Sequence, residues 1–148
     1  MKFQTFLASE IATLDSNIYS GGGTDVTSAL QKILDKADNN NGVHLIMDGA
    51  GLITGLDVKS NTTIECLSKD CGFFLKDGSD RSLIDLKERS YTERLTRNVT
   101  LIGGTYNHNN KGQQHHVPIT DERYRFGIEG ISDDMAQAGW LSLLNSLG

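Results

Sequence analysis

The chain has 148 residues, enough for one domain with a hydrophobic core, and its 14 basic and 19 acidic residues give a net charge of −5. An acidic balance disfavours nucleic acid or an anionic membrane surface as a partner. No apolar run reaches the length of a transmembrane helix, and the apolar stretch before Glu10 is too short for a signal peptide. We therefore predict a cytoplasmic protein with neither a nucleic-acid nor a membrane partner.

The two cysteines, Cys66 and Cys71, are too few to form a disulfide framework. They could bridge a small loop, but Cys66 falls within a strand pattern. This position favours free, buried thiols in a reducing compartment.

The first 22 residues have two interpretations. Phe3, Phe6 and Leu7 begin a series of apolar residues at helix-like spacing, which predicts an amphipathic helix, with an extended leader as the alternative. Three glycines at positions 21–23 then break the chain. No Lys-Ser or Lys-Thr follows them at the spacing of a phosphate-binding loop, so we interpret them as a turn into the next helix.

The clearest helix covers residues 27–37, where five apolar residues form one stripe. Asp25 or Thr27 can cap it, because a side-chain oxygen accepts hydrogen bonds from the first-turn N–H groups. The Asp-Asn-Asn-Asn-Gly run at 38–42 ends the helix with residues that tolerate the left-handed conformation.

Short extended segments separated by turn residues follow the helix. They cover residues 43–47, 52–54, 56–58, 60–67, 73–75, 83–86 and 97–103, with a last one at 105–106. We interpret His44, on the first of these segments, as a half-exposed pairing residue rather than a ligand. A charged run at 87–94 is too polar for the core and predicts a projecting loop.

Two of these segments align residue for residue, with Asn61 and Asn98 at equivalent positions 37 residues apart. A repeat of this length with three short strands per return is typical of a solenoid of parallel strands. On this interpretation Ile64 lies directly on Leu101 in an enclosed core, with Thr62 as an inward neighbour. The two asparagines occupy the preceding corner in the left-handed conformation, and their amides form a ladder. The alternative is a coincidence between two Asn-containing turns.

A polar loop leaves the last clear strand and contains the candidate ligand-binding residues. Asn, His, Lys and Tyr side chains supply the hydrogen bonds and the stacking face that a glycan needs. The predicted substrate-binding residues are Tyr106, His108, Asn110, Lys111, His115 and His116. The histidines, with Asp121 and Glu122, could also form a metal site, but their spacing matches no known ligand module. We predict neither a metal nor a cofactor.

Four segments carry a family resemblance: residues 23–31, 41–45, 56–64 and 98–106. They resemble the cap helix and the first rungs of pectate-lyase-like right-handed parallel β-helix proteins, nearest the polygalacturonase-like glycoside hydrolases. The resemblance covers about residues 20–112 and implies a β-helix fold and a polysaccharide or oligosaccharide partner.

The same resemblance raises doubt about catalysis. Members that cleave pectic glycans use Asn-Thr-Asp, Asp-Asp, Gly-His-Gly and Arg-Ile-Lys elements on later rungs, because hydrolysis needs carboxylates flanking the glycosidic bond. Of these elements this sequence has a counterpart only to the pair, Asp133 and Asp134. These two are weak catalytic candidates, since they also fit the first turn of an amphipathic helix capped by Ser132.

We therefore predict a mostly β protein, a short right-handed parallel β-helix (solenoid) with an N-terminal capping helix and a C-terminal helix. The predicted divisions are a leader or helix at 1–22, the cap helix and rungs at 23–131, and an amphipathic helix at 132–148. One hypothesis is a truncated or short homologue of a polysaccharide-degrading glycoside hydrolase without its catalytic rungs. The other is a glycan-binding or structural module, which could form a homo-oligomer through the open coil end.

Overall fold

A computed structural model of the chain describes residues 2–86 and 96–114, and within these ranges it contains nine strands and one α-helix. The strands are β1 (Lys2–Leu7), β2 (Asn41–Met47), β3 (Ala50–Ile53), β4 (Leu56–Val58), β5 (Thr62–Cys66), β6 (Gly72–Leu75), β7 (Ile84–Leu86), β8 (Val99–Ile102) and β9 (Thr105–Asn107). The helix is α1 (Thr27–Leu34), and short 3-10 helices lie at Ala8–Glu10 and Asn110–Gly112. Every segment from residue 43 to 106 that the sequence predicts to be extended contains a strand.

The described strands form three sheets, and every pairing in them is parallel. Sheet A has the order β1-β2-β5-β8, sheet B has the order β3-β6-β9, and sheet C contains β4 and β7. From β2 onward the chain visits the sheets in the fixed sequence A, B, C, A, B, C, A, B. The prediction of a mostly β protein with parallel strands is therefore confirmed.

The predicted stack of aliphatic residues is present in sheet A. Ile64 lies opposite Leu101 in the register of β5 and β8, and Leu45 lies opposite Ile64 on the other side. Leu45 and Ile64 are completely buried, whereas Leu101 is partly buried against the same core. The repeat length is not uniform, because Val43 pairs with Thr62, 19 positions later, whereas Thr62 pairs with Val99, 37 positions later.

The asparagine corner before β5 and β8 is also as predicted. Asn61 and Asn98 have φ angles of 65° and 59°, in the left-handed region. The Asn98 Nδ2 group donates a hydrogen bond to Asn61 Oδ1 at 2.9 Å, and Asn61 Nδ2 donates to the backbone oxygen of Asp38 at 2.9 Å. These hydrogen bonds therefore connect Asn98 through Asn61 to the backbone of Asp38, in the segment that follows the helix.

The first residues adopt the extended alternative, so the helix interpretation of this segment is wrong. Lys2–Leu7 form β1, which pairs in parallel with β2 and is followed by one 3-10 turn. The edge of β2 offers backbone N–H and C=O groups that need partners, and pairing with β1 satisfies them. Phe6 points toward the core, and its ring lies 5.8 Å from the Lys36 ammonium.

Helix α1 begins as predicted and ends three residues earlier than the predicted limit. The Asp25 carboxylate accepts hydrogen bonds from the Thr27 backbone N–H at 3.0 Å and from the Thr27 hydroxyl at 2.6 Å. Burial raises the pKa of Asp25, but these bonds and the charge on Lys76 outweigh it, so the pKa lies below its usual value. The last residues of the predicted helix form a tighter turn, since Ala37 N donates to Leu34 O.

The glycine-rich segment before α1 covers the outer face of sheet B. Gly21 lies against the ring of Phe74, and a Cβ at this position would be 2.4 Å from the ring. Ile18 is buried here, and its backbone oxygen accepts a hydrogen bond from Asn107 Nδ2 at 2.8 Å. The glycines at 21–23 all have positive φ, between 73° and 88°. The turn interpretation is confirmed, because this path needs left-handed residues in close contact with the sheet.

Several predicted features lie outside the described residues. They are the charged run at 87–94 and the amphipathic helix at 132–148. Among the residues that are described, no helix has the length and apolar character needed to span a bilayer.

Candidate functional site

Tyr106, the first of the predicted sugar-binding residues, faces the core of the protein. It lies opposite Phe73 in the register of β6 and β9, and the ring centroids are 5.4 Å apart. Its hydroxyl oxygen is 4.0 Å from Cys66 Sγ. Burial, with the neighbouring thiol, raises the pKa of Tyr106 far above its usual value, so the phenol stays neutral. Tyr106 therefore contributes to the packing of the core, and its side chain is only partly buried.

His108 is likewise buried, with 8% of its surface exposed. Burial lowers the pKa of its imidazole, and the neutral form is favoured near pH 7. Asn110 and Lys111 lie in the following 3-10 helix, where Asn110 is half-buried and Lys111 is exposed. His115 and His116 lie outside the described residues. Of the six predicted binding residues, the structure thus shows Lys111 exposed, Tyr106 and Asn110 partly buried, and His108 buried.

The polar side chains around this 3-10 helix make hydrogen bonds within the protein. Asn109 Nδ2 donates to the Leu75 backbone oxygen at 3.0 Å and to Asp77 Oδ1 at 2.6 Å. Gln113 Oε1 accepts from the Asp80 backbone N–H at 2.7 Å. These bonds hold the loop after β9 against the loop after β6. Asn110 Oδ1 in this loop is buried and has no hydrogen-bond partner among the described residues.

The two cysteines are free and buried, as predicted. Burial raises the pKa of the Cys66 thiol to about 11, so the thiol stays protonated at neutral pH. Cys71 Sγ lies 3.4 Å from Ser68 Oγ at the same corner. Gly104 fits against both cysteines, because a Cβ there would be 2.5 Å from Cys66 Sγ and 2.9 Å from the Cys71 oxygen. We interpret this corner as a packing element.

One pair of carboxylates occupies neighbouring register positions on sheet C. Asp57 lies opposite Asp85 in the pairing of β4 and β7, so their Cα atoms are about 4.8 Å apart. Arg81 Nη2 donates to Asp57 Oδ1 at 2.9 Å, and both side chains are more than a third exposed. This is the geometry of a surface ion pair. The weak catalytic candidates from the sequence, Asp133 and Asp134, lie outside the described residues.

The outer face of sheet A displays a second group of polar residues. His44 Nε2 and Glu65 Oε1 are 2.8 Å apart, and their side chains are 27% and 35% exposed. This confirms His44 as a half-exposed pairing residue. Residues Thr5, His44, Thr63 and Thr100 form one row across four strands, and Leu7, Ile46, Glu65 and Ile102 form the next row.

Sequence reasoning did not identify this face as a site, because the rows join residues from strands far apart in the chain. The sequence repeat did indicate part of this face, because it places Thr63 and Thr100 at equivalent outward positions. The position of His44 beside them depends on the shorter first step from β2 to β5. The repeat that was found in the sequence has a length of 37 residues and did not indicate the distance of 19 residues between Val43 and Thr62.

Within the described residues, no group of three or more His, Cys, Asp and Glu side chains is arranged to hold a metal ion. Comparisons with protein-family models, with curated proteins and with solved structures each found no match.

Proposed function

We propose that this chain is a right-handed parallel β-helix with a helical cap, and a short homologue of polysaccharide-degrading glycoside hydrolases that binds glycan without cleaving it. The observation that carries the proposal is the order in which the chain visits its sheets. Equivalent strands of successive turns pair in parallel, and the asparagine corner repeats with its hydrogen bond. A solenoid of strands is the architecture that combines these features.

The position of α1 supports the role of a cap. Leu30 and Leu34 are completely buried within the core cluster. The Gln31 amide exchanges two hydrogen bonds with the backbone of Asp57, each 2.9 Å long. A helix that satisfies a strand backbone and covers apolar side chains is what the end of a solenoid needs to remain soluble.

Binding is favoured over hydrolysis for two reasons. The sequence has no Asn-Thr-Asp, Gly-His-Gly or Arg-Ile-Lys element. The register pair of carboxylates at Asp57 and Asp85 includes a residue that is already bound by Arg81. A glycosidase needs one carboxyl group that donates a proton and a second that acts as base or nucleophile, both directed at the same sugar.

The proposal is tested with a panel of pectic and neutral oligosaccharides. We expect calorimetry to detect binding, and we expect assays for new reducing ends to detect no turnover. Turnover would refute the binding-only proposal, and Asp57→Asn and Asp85→Asn would then show whether the sheet C pair is responsible. The absence of both binding and turnover would leave a purely structural role as the better explanation.

The proposal includes self-association through the β8 end of the stack. Val99 and Leu101 are only partly buried, whereas the equivalent residues Val43, Leu45 and Ile64 are at most 1% exposed. Apolar groups left incompletely covered favour association. Light scattering over a range of concentrations should show a dimer or a larger assembly, and a monomer throughout would refute this part of the proposal.

A further inference from the structure

The outer faces of sheets A and B differ in exposure. On sheet B the outward residues Leu52 and Phe74 are only 6% and 7% exposed, because residues 15–26 lie over them. On sheet A the outward residue Ile102 is 45% exposed, and Leu67, just after β5, is 59% exposed. The described part of sheet A therefore leaves outward side chains in contact with water.

The polar groups on this face are those that recognise hydroxyl-rich ligands. The Thr5, Thr63 and Thr100 hydroxyls can each donate one hydrogen bond and accept others. Beside them, the Glu65 carboxylate can accept hydrogen bonds, and it is held in place by His44 at 2.8 Å. Hydroxyl, carboxylate and imidazole groups next to exposed aliphatic side chains suit a sugar, which has hydroxyl edges and an apolar C–H face.

The charged residues on this face favour neutral sugars over acidic ones. The two outward rows contain one carboxylate, at Glu65, one imidazole, at His44, and no Lys or Arg. The whole chain carries a net charge of −5. A polyuronate would bring further negative charge to this surface and would be repelled, whereas a neutral oligosaccharide would not.

We propose that the outer face of sheet A, centred on Glu65 and Thr63, binds a chain of neutral hexoses. This inference rests on the proposed glycan-binding function and gives it a surface and a class of ligand. It differs from the expectation of the sequence, which placed the sugar at the loop after β9. Because adjacent parallel strands are about 4.8 Å apart, the residues of each row are regularly spaced across the strands. Regularly spaced polar groups suit an extended oligosaccharide lying across the strands.

The test compares full-length wild-type protein with two variants by isothermal titration calorimetry, using cellohexaose, maltohexaose and hexagalacturonate as probes. Glu65→Ala removes the central acceptor, and Lys111→Ala tests the exposed loop after β9 as the competing binding surface. We expect a neutral hexasaccharide to bind more tightly than hexagalacturonate. We expect Glu65→Ala to weaken that binding at least tenfold, the loss typical of one hydrogen bond to a charged group, and Lys111→Ala to change it less than twofold.

The outcomes separate this inference from the function on which it rests. If neutral sugars bind and Lys111→Ala abolishes binding while Glu65→Ala does not, the protein binds glycan at another surface, and the inference is wrong. Preferential binding of hexagalacturonate would refute the ligand class. If no probe binds, the proposed function fails as well. Thr100→Val serves as a second variant, since the side chain is exposed and the substitution keeps its shape; unchanged affinity in both face variants would also refute the inference.

Discussion

The hydroxyl of Thr62 is an unusual feature of the core, and its removal should stabilise the protein. Thr62 is completely buried on β5, between Val43 and Val99 in the register of sheet A. Its Oγ1 atom is buried and has no hydrogen-bond partner within residues 2–86 and 96–114. The backbone N–H of Thr62 donates a hydrogen bond to the Asn98 oxygen at 3.1 Å. The side-chain oxygen, in contrast, is removed from water on folding and gains no hydrogen bond in return.

The size of the effect follows from this environment. A buried polar group without a partner costs about 1–3 kcal/mol. Thr62→Val replaces the hydroxyl with a methyl of nearly the same shape and completes a column of three valines. We expect the free energy of unfolding to rise by about 2 kcal/mol, which corresponds to a melting temperature about 4–8 °C higher for a chain of this size.

The assay is urea unfolding monitored by circular dichroism, together with a thermal scan, on three variants. Thr63→Val is the matched control, since Thr63 is the next residue and points outward beside Thr100, where the change should stay within about 0.5 kcal/mol. Thr62→Ser keeps the hydroxyl but loses a buried methyl, and should destabilise by about 1 kcal/mol. A Thr62→Val protein no more stable than the Thr63→Val control would show that the hydroxyl has a partner, and would refute the reasoning.

Three further predictions concern the corner, the turn and the helix start. Asn61→Gly and Asn98→Gly keep the left-handed backbone, and a double-mutant cycle of unfolding free energies should give a coupling of about 0.5–1.5 kcal/mol; additive effects would argue against the ladder. Gly21→Ala should destabilise by about 1–3 kcal/mol more than Gly22→Ala, because only the first Cβ meets the sheet B ring. The lowered pKa of Asp25 stabilises the fold above its ordinary value of 3.8, and that stability is lost as the pH falls through the folded-state pKa. Asp25→Asn should flatten this part of the acid unfolding curve.

The parts of the fold that the sequence predicted are those fixed by local chemistry. Asparagine adopts the left-handed conformation more easily than most residues, so the repeated Asn marked a repeated corner. The alternation after it then placed Thr62 and Ile64 inside and Thr63 outside, as observed. Helix α1 was also identifiable, because its apolar stripe and its acidic start have no good alternative interpretation.

The parts that were mispredicted or missed depend on pairing between distant segments. The six residues of β1 fit both a helical and an extended period, and only the edge of β2 decides between them. Tyr106 belongs to a three-residue strand with no alternation of its own, and its inward direction is set by its pairing with Phe73. In this short segment the histidine is buried and the aromatic residue is partly buried against the core, which the sequence did not indicate.

The different coverage of the sheets explains why binding is assigned to sheet A and not to sheet B. The outer face of sheet B carries Leu52 and Phe74, which are too apolar to remain in water, and the glycine-rich segment is shaped to cover them. On sheet A the equivalent outward positions carry threonines and the His44–Glu65 pair, which are compatible with water and need no cover. Ile102 remains 45% exposed beside them. If the outer face of sheet A binds glycan, Ile102→Thr should weaken the affinity; an unchanged affinity would remove Ile102 from the proposed surface, and the assignment to Glu65 would keep its own test.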